Sequence, residues 1–515
     1  MSFVTCFKGW RQWSAAICIA TGAWMLLAVA DCARGQSPYA TEVVARNGAY
    51  GPSVYGNPLA VLGEPTRIAR NNDPLIGNGP FHTKIVEAAY NVDLNGNNVV
   101  TTLARQSNGS GGFTYGSITV KFDHPVMDDP TNPYGIDLNA FGNSFYSGSG
   151  FVSDTTDMRS YTLVGASFEE PVVISVSPDN INWYTYASGP YGDTAFPTQG
   201  HAWSGPQHDA TGNGWTATPM DFTKPVNPTL APVLAAGGIA AVDAMDTYVG
   251  AGGGTGIDLA ASGFSSIQYA RLEATQQFRD GEIDALADVR PARVGESLSI
   301  TPANVADQTR LFFQDPADTS RTGIRATFTE LSGLAKLATG DNPDALAALG
   351  DRRVFASYEL SVSSLIGEAD VAFSASYELA VGPGYAGTGA GLAVVAWDGA
   401  TWQAQPFSFD AASKTVEVSE WTNPLAVLAL VGLTGDFNFD GRVDATDYVV
   451  WRKGLGAVYS PSDYAAWREN FGRELAVGSG AGLSVGAAVA EPGVMVLVVS
   501  GLVTLWFAQP RRKAR

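Results

Sequence analysis

One twelve-residue stretch carries the clearest chemistry in this sequence. It runs from residue 436 to residue 447, with oxygen-bearing side chains at positions 1, 3, 5, 9 and 12 and glycine at position 6. A hard divalent cation such as Ca²⁺ takes about six to eight oxygen ligands, so a short loop must turn sharply and present alternate side chains inward. The spacing therefore predicts one Ca²⁺ site, and its predicted ligands are Asp436, Asn438, Asp440, Arg442, Asp444 and Asp447.

The predicted ligands bind in different ways. The side chains at positions 1, 3 and 5 bind directly, Arg442 binds through its backbone carbonyl and Asp444 through a water molecule. Asp447 supplies the terminal carboxylate, and Gly441 permits the sharp turn. The alternative is that an Asp-, Asn- and Gly-rich stretch forms only a solvated turn. A solvated turn would explain why the stretch is rich in aspartate, asparagine and glycine. It would not explain why these residues occupy the ligand positions of a calcium-binding loop.

The elements that flank the loop are predicted to differ, with a strand before it and a helix after it. Residues 425–431 form an apolar, strand-like run, so the helix that usually enters such a loop is absent, and a helix is predicted only after the loop. Residues 447–452 (Asp-Tyr-Val-Val-Trp-Arg) recur as residues 463–468 (Asp-Tyr-Ala-Ala-Trp-Arg), an offset of 463 − 447 = 16. The repeat predicts two packed helices. The same offset moves the first three ligand positions onto an arginine and two glycines, so no second cation site is predicted.

The EF-hand-type loop, the aspartate at position 12 and the repeated aromatic helix resemble a dockerin type I module with a degenerate second half. We assign it to residues 433–474. Dockerins bind cohesins, and the corresponding loop positions 10 and 11 here are Ala445 and Thr446. The resemblance implies calcium-dependent docking to a cohesin-like protein. The alternative is that the Ca²⁺ loop only stabilises this end of the protein, since metal binding contributes folding free energy without any partner.

The N-terminus has the features of an export signal. A lysine and an arginine precede an apolar stretch at residues 15–30 that ends in Ala-Val-Ala, so residues 1–30 are predicted to be a signal peptide. All three cysteines lie at this end, at Cys6, Cys18 and Cys32. The body of the protein from residue 37 onwards contains no cysteine, and therefore no internal disulfide, no cysteine catalyst and no thiolate zinc site.

The C-terminus has the features of a membrane-sorting segment. Residues 491–493 (Glu-Pro-Gly) precede 15 apolar residues, 494–508, and then an arginine-rich tail. At ~1.5 Å per residue this run spans roughly 23 Å, which is shorter than the ~30 Å hydrocarbon core. The order of motifs over residues 491–515 resembles the PEP-CTERM sorting signal, although the first proline is missing. The resemblance implies membrane attachment through this helix, processing by an exosortase-type enzyme, and a flexible linker at residues 475–490. The alternative, an ordinary C-terminal membrane helix, also places the body outside the cytoplasmic membrane.

The body between these ends is predicted to be mainly β. Glycine (58 residues) and proline (28 residues) are abundant, and short alternating segments such as residues 117–122, 171–177 and 267–273 recur between turn sequences. We assign a large β-sandwich to residues 37–292 and a second to residues 293–432. The predicted fold class is thus two β-sandwich-like domains, a small α-helical calcium-loop module and a C-terminal transmembrane helix.

Several short sequence motifs in the first sandwich resemble those of the N-terminal β-sandwich of PEP-CTERM and planctomycete-type surface proteins. Among them are residues 55–58 (Tyr-Gly-Asn-Pro) and 136–143 (Ile-Asp-Leu-Asn-Ala-Phe-Gly-Asn). In the second sandwich, an Asp-Gly turn between Trp397 and Trp402 predicts a hairpin. The two tryptophans are candidates for stacking on a sugar, but cross-strand packing is the preferred interpretation.

No catalytic motif stands out. His201, His208 and Asp209 are candidates for a metal or acid–base role, with surface histidines as the simpler explanation. Glu282 and Asp284 share one face in strand geometry and suit a hydrogen-bonding role as well as catalysis. Residues 252–256 (Gly-Gly-Gly-Thr-Gly) lack the lysine of a phosphate-binding loop and are interpreted as a flexible connection.

The charge balance bears on partners. The chain has 31 basic and 50 acidic residues and a formal net charge of −19, which opposes binding to nucleic acid or anionic lipid. The expected function is that of an exported, non-catalytic surface or matrix protein that binds a polysaccharide or a protein partner. The alternative is a glycoside hydrolase-type enzyme, or an accessory carbohydrate-binding component, delivered to polysaccharide through its dockerin.

Overall fold

The computed structural model describes residues 36–70, 79–205, 214–315, 322–367, 370–382 and 384–475. The predicted signal peptide, the sorting segment and residues 476–490 of the predicted linker lie outside these residues. The first residue of that linker, Leu475, is described and is buried, so the packed module extends through residue 475. Strands dominate the described residues, which confirms the mainly β prediction. The α-helices are α1 (Ala231–Ala235), α2 (Ala241–Asp246), α3 (Pro302–Ala306), α4 (Pro343–Ala347), α5 (Ala445–Gly454) and α6 (Asp463–Asn470). Within the described ranges, no helix has the length and apolar character needed to cross a bilayer.

The N-terminal body is built from short strands. In chain order they are β1 (Glu42–Asn47), β2 (Ala49–Tyr50), β3 (Ile68–Arg70), β4 (Pro80–His82), β5 (Val92–Asp93), β6 (Thr101–Ser107), β7 (Phe113–Tyr115), β8 (Ser117–Met127), β9 (Leu138–Phe141), β10 (Phe145–Gly148), β11 (Leu163–Phe168), β12 (Val173–Ser177), β13 (Tyr184–Thr185), β14 (His201–Trp203), β15 (Trp215–Pro219), β16 (Thr255–Ile257), β17 (Ser266–Glu273), β18 (Gly281–Ile283) and β19 (Ala285–Asp288).

Two layers of these strands enclose the first core. A five-stranded antiparallel sheet has the order β1-β8-β17-β12-β13, and its three central strands are the segments predicted from alternation. Inward side chains such as Phe122 and Leu272 pack against Leu138 of β9 and Leu286 of β19. These opposing residues belong to two smaller sheets, of order β16-β9-β19 and β18-β6-β2. Alternate burial along β8 and β17 places one face of each strand in this core.

A second apolar cluster lies in the stretch between β9 and β17. The β10-β11 and β14-β15 hairpins, together with α1 and α2, enclose Tyr146, Leu163, Trp215 and Tyr248. The sequence predicts one sandwich over this region and does not indicate the second cluster. Its strands have only three to six residues, too few for alternation to be read from sequence.

The interpretation of residues 252–256 as a flexible connection is wrong, because these residues lie in tightly packed structure. Gly252, Gly253 and Gly254 are buried. A Cβ on Gly252 would lie 2.1 Å from the Phe222 ring, and one on Gly253 would lie 2.3 Å from the Pro197 carbonyl oxygen. Glycine is needed here because backbone and ring approach too closely for any side chain.

The second body is a sandwich of two six-stranded sheets. Its strands are β20 (Ala292–Arg293), β21 (Ser297–Ile300), β22 (Arg310–Gln314), β23 (Gly323–Leu331), β24 (Ala335–Gly340), β25 (Arg353–Ser364), β26 (Phe373–Ala380), β27 (Ala393–Trp397), β28 (Trp402–Gln405), β29 (Ser408–Asp410), β30 (Thr415–Trp421) and β31 (Leu425–Gly432). One sheet has the order β20-β22-β23-β26-β30-β29 and the other β21-β24-β25-β31-β27-β28. One apolar core joins their facing sides.

Strand β31 explains how the C-terminal module is attached. Seven of its eight residues are buried, whereas β25 beside it alternates between buried and partly exposed residues. Leu428 and Leu430 face the sandwich core, while Val427 and Val431 face a second cluster on the outer side of the sheet. A strand covered on both faces has a continuous apolar sequence, which is why residues 425–431 lack alternation.

Candidate calcium-binding loop

The predicted loop begins four residues after β31 and is anchored to the sandwich by two apolar side chains. Phe439, at loop position 4, has a φ of 59° and lies against Tyr385, with ring centroids 4.8 Å apart. Val443, at position 8, is fully buried in the cluster on the outer side of the sheet, together with Leu433 and Leu475. The loop is therefore packed on the surface of the sandwich and does not form a separate domain.

The loop turn depends on glycine at position 6. Gly441 has a φ of 88°, and a Cβ there would lie 2.8 Å from the carbonyl oxygen of Ala390. Any larger residue would be strained by its backbone conformation and would press on the neighbouring chain. The glycine that the motif requires is thus also required by packing.

Asp436, at position 1, is the most constrained of the predicted direct ligands. Its side chain is buried and accepts hydrogen bonds from the backbone N–H groups of Gly441 (2.8 Å) and Asp440 (3.2 Å). Burial raises the pKa of this carboxyl to about 6, and the nearby Asp447 and Asp440 charges add to the rise. A cation bound among these carboxylates would relieve that repulsion.

Asp447, at position 12, joins the loop to α5. Its Oδ1 accepts from the backbone N–H groups of Phe437 (2.8 Å) and Asn438 (3.1 Å), and its Oδ2 accepts from that of Asp444 (2.8 Å). Burial raises the pKa of Asp447, with a contribution from the Asp440 charge, while these three hydrogen bonds lower it. This carboxylate therefore already fixes the loop conformation that a cation would need.

The remaining predicted ligands are more exposed. Asn438 donates through Nδ2 to Asp440 Oδ2 at 2.9 Å, and Asp440 Oδ1 accepts from the backbone N–H of Arg442 at 3.0 Å. Asp444 is the N-cap of α5 and accepts from the backbone N–H of Thr446 at 2.7 Å. A capping role at position 9 agrees with a ligand that acts through water.

The loop has little positive charge to balance its carboxylates. Arg442 lies on the surface with its guanidinium Nε 3.5 Å from Glu474, so it is paired outside the ligand set. All candidate donor atoms are oxygens, which suit Ca²⁺ rather than a soft metal. The residues present therefore fit the cation predicted from sequence.

The chain after α6 completes the loop by backbone pairing. The Val443 N–H donates to the Arg473 carbonyl at 2.9 Å, and the Gly472 N–H donates to the Val443 carbonyl at 2.8 Å. An adjacent bridge joins Arg442 to Glu474. The segment after α6 thus supports the loop through backbone hydrogen bonds.

The predicted helix pair is confirmed, and its two halves are related by reciprocal contacts. Trp451 Nε1 donates to the Ser460 carbonyl at 2.9 Å, and Trp467 Nε1 donates to the Asp444 carbonyl at 2.7 Å. The two donors are 16 residues apart in the sequence, and so are the two acceptors, which matches the offset of the sequence repeat. The tryptophans and Tyr448 pack between the helices, with the Tyr448 and Trp467 ring centroids 5.4 Å apart.

A second group of acidic residues was not recognised as a site from sequence. In the described part of the chain, the one group of three carboxylates whose oxygens all lie within 4.8 Å of one another is Asp128, Asp137 and Asp258. The carboxylates of the calcium loop do not meet this criterion. The proline, asparagine and glycine of residues 128–135 indicate only a turn, and no local pattern links them to a residue more than a hundred positions away.

The structure places the remaining candidates as follows. Trp397 and Trp402 are cross-strand partners with ring centroids 5.5 Å apart, and Trp402 Nε1 donates to the buried Ala345 carbonyl at 3.0 Å, so the packing interpretation is confirmed. His201 is not a surface histidine, because it is half-buried with its ring centroid 5.2 Å from that of His82. Residues 208 and 209 lie outside the described residues.

Glu282 and Asp284 do not form a shared site. Glu282 hydrogen-bonds to Thr102 and Asn143, whereas Asp284 lies between β18 and β19 and accepts from the Thr66 backbone N–H at 2.7 Å. Both side chains are buried. Their contacts support the hydrogen-bonding role considered from sequence.

Neither the comparison with protein-family models nor the search of curated proteins found a match to this chain.

Proposed function

We propose that this is an exported, non-catalytic surface or matrix protein whose C-terminal module binds one Ca²⁺ ion and docks a protein partner. The observation that carries the proposal is Asp436, a buried carboxylate at loop position 1 whose pKa is raised by burial and by two further loop aspartates. Burial of an ionised carboxylate without a counter-charge lowers the stability of the fold, and a bound Ca²⁺ ion would supply that counter-charge.

The experiment is calcium titration calorimetry on the full chain beside an Asp440→Asn variant. The full chain is needed because Leu433, Val443 and Leu475 pack on the sandwich, so an isolated module would expose them. Asp440 is exposed and the substitution conserves its shape, so the fold is kept while one ligand charge is lost. We expect the loop affinity to fall at least tenfold. Asp410→Asn, an exposed turn aspartate of the second sandwich, is the matched control and should leave binding unchanged.

The docking surface of the proposal is the exposed side of α5. Ala445, Thr446 and Val449 are exposed there, and Asp444 caps the helix from within the calcium loop. Loss of Ca²⁺ would loosen that cap, which would make partner binding calcium-dependent. Binding of a cohesin-like domain in calcium but not in chelator would support docking. Equal binding in both conditions would favour a Ca²⁺ site that only stabilises the body.

The proposal also includes export through residues 1–30 and attachment through residues 491–515, with processing by an exosortase-type enzyme. It rests on the order of charged, apolar and proline-containing segments in the sequence. The mass of the protein recovered from the cell envelope tests it, since cleavage would remove both end segments. An intact C-terminus would leave a simple membrane anchor.

A second candidate function is glycoside hydrolysis, and one observation favours it. Glu282 donates its backbone N–H to the Glu170 carbonyl at 3.0 Å, so the two acidic residues lie on paired backbone segments. Burial, with the charge of Glu282, raises the pKa of Glu170 to about 7, a value that suits a general acid. Release of reducing sugar from a polysaccharide panel by the wild type, but not by Glu170→Gln, would support this function over a non-catalytic one.

A further inference from the structure

The loop between β8 and β9 brings acidic side chains together at the edge of the first sandwich. Asp128 and Asp137 flank this loop, and Asp258 joins them from the turn that follows β16. In the described chain, no lysine or arginine forms an ion pair with any of the three. Three carboxylates, each with one oxygen within 4.8 Å of an oxygen of the other two, therefore lack a lysine or arginine partner among the described residues.

Asn132 provides an independent observation at the same place. Its side chain is only 4% exposed, and its buried Oδ1 accepts no hydrogen bond from a protein group of the described residues. The amide that carries this oxygen touches the cluster, because its Nδ2 donates to Asp137 Oδ1 at 2.9 Å. A buried carbonyl oxygen that accepts no hydrogen bond lowers the stability of the fold. This oxygen is buried next to three carboxylates.

The backbone holds this arrangement in place. Asp137 accepts from the backbone N–H groups of Asp129 at 3.0 Å and Leu259 at 3.0 Å, which ties the loop to the turn that carries Asp258. Asp258 in turn caps the short 3-10 helix Leu259–Ser262 by accepting from the Ala260 N–H at 2.8 Å. The carboxylates are thus positioned by contacts that do not depend on a cation.

We propose that Asp128, Asp137, Asp258 and Asn132 form a second Ca²⁺ site in the first sandwich, separate from the loop at residues 436–447. The donors are all oxygens, which selects a hard cation over zinc or copper. Ca²⁺ fits better than Mg²⁺ because it tolerates irregular geometry and accepts protein oxygens with few waters. The unpaired amide oxygen would then become a ligand.

The site lies at the junction between the two sandwiches. Tyr134, in the same loop, donates its hydroxyl to the Ser299 carbonyl of β21 at 2.7 Å and packs against the second core. A cation bound by the flanking aspartates would hold the loop that carries this contact. Calcium would therefore stabilise the junction as well as the first sandwich.

The test is calcium binding by the full chain with the C-terminal loop weakened by Asp440→Asn. We expect this protein to retain one Ca²⁺ site whose affinity is unchanged by Asp440→Asn, and the further substitution Asp258→Asn to weaken that site at least tenfold. Asparagine can still cap Ala260, and Asp258 is exposed, so the fold should persist in the absence of calcium. A calcium-free melting temperature equal to that of the parent verifies this.

The control is Asp179→Asn, which alters another exposed turn aspartate of the first sandwich and should leave binding unchanged. The reciprocal protein, with Asp258→Asn and an intact C-terminal loop, should keep one ion, which separates failure of this site from failure of the loop. The proposal is overturned if the Asp440→Asn protein binds no calcium, in which case water occupies the cluster. It is equally overturned if Asp258→Asn and Asp179→Asn bind calcium alike.

Discussion

Individual carboxyl groups in this protein differ sharply in how their burial is compensated. Asp284 is fully enclosed between β18 and β19, where its contacts come from the backbone and hydroxyl of Thr66. Asp436 and Asp447 of the loop at residues 436–447, by contrast, accept hydrogen bonds from two and three backbone N–H groups, respectively. Burial with few donors favours the neutral carboxylic acid, whereas each backbone N–H donor favours the carboxylate and lowers the pKa.

The state of Asp284 gives a pH prediction. Burial raises its pKa from 3.8 to about 8, so the folded protein keeps a proton that the unfolded chain loses at lower pH. The contribution of Asp284 to the free energy of unfolding should therefore be fully present below about pH 4 and should be lost as pH rises towards 8. Asp284→Asn, which cannot ionise, should reduce that fall, as measured by urea unfolding at several pH values.

An exposed aspartate provides the control. Asp341→Asn should leave the slope of stability against pH in this range unchanged, since Asp341 lies on the surface. A slope that is as steep in Asp284→Asn as in the wild type would show that the carboxyl ionises freely in the folded state.

At the scale of elements, α5 and α6 support each other through tryptophan side chains rather than through a long helical interface. Each helix has only two or three turns, since α5 has 10 residues and α6 has 8. Helices of this length are marginal in isolation. The reciprocal bonds from Trp451 and Trp467 therefore join two elements that would not persist alone.

The two tryptophans should differ in their effect on calcium. Trp467→Phe removes the hydrogen bond to the Asp444 carbonyl inside the calcium loop, whereas Trp451→Phe removes the bond to Ser460, outside it. Each substitution should cost about 0.5–1.5 kcal/mol of stability for the lost bond. Only Trp467→Phe should also weaken calcium binding, as measured by titration calorimetry. Equal calcium affinities in the two variants would contradict a role for this bond in holding the loop.

At the scale of the whole molecule, polar contacts join the two sandwiches. Asn227 is fully buried, and its Nδ2 donates to the Ser299 carbonyl at 3.1 Å and to Asn304 Oδ1 at 2.6 Å. Lys224, also buried, donates to carbonyl oxygens of Val249 and Ser297, one from each body. A junction with hydrogen bonds at buried positions resists hinge motion, so the bodies should unfold together.

Removal of one junction contact tests that cooperativity. Asn227→Ala should lower the free energy of unfolding by roughly 1–3 kcal/mol, because buried groups on both sides lose their partners. Calorimetry should show a single transition for the wild type and a lower or divided one for the variant. Asn182→Ala, at an exposed turn, should change stability by less than about 0.5 kcal/mol. Two separate transitions in the wild type would contradict a rigid junction.

The sequence by itself determined those features whose physical cause is local. The spacing of aspartates, asparagine and glycine over residues 436–447 defines the loop, and the 16-residue repeat defines the α5–α6 pair. Alternation defines β8 and β17, and the Asp-Gly turn defines the β27-β28 hairpin. In each case a turn, a helix face or a strand face is encoded within about a dozen neighbouring residues.

Only the tertiary structure decided which distant residues meet. Asp258 lies beside Asp128 and Asp137 because antiparallel pairing of β16 with β9 aligns the ends of those strands, and no local pattern records that register. The glycines at 252–254 have the composition of a flexible linker, but in the folded protein they pack against Phe222 and Pro197. The continuous burial of β31 likewise depends on the C-terminal module folding back over the sheet. Burial and long-range contact are properties of packing, and packing is fixed only when the whole chain has folded.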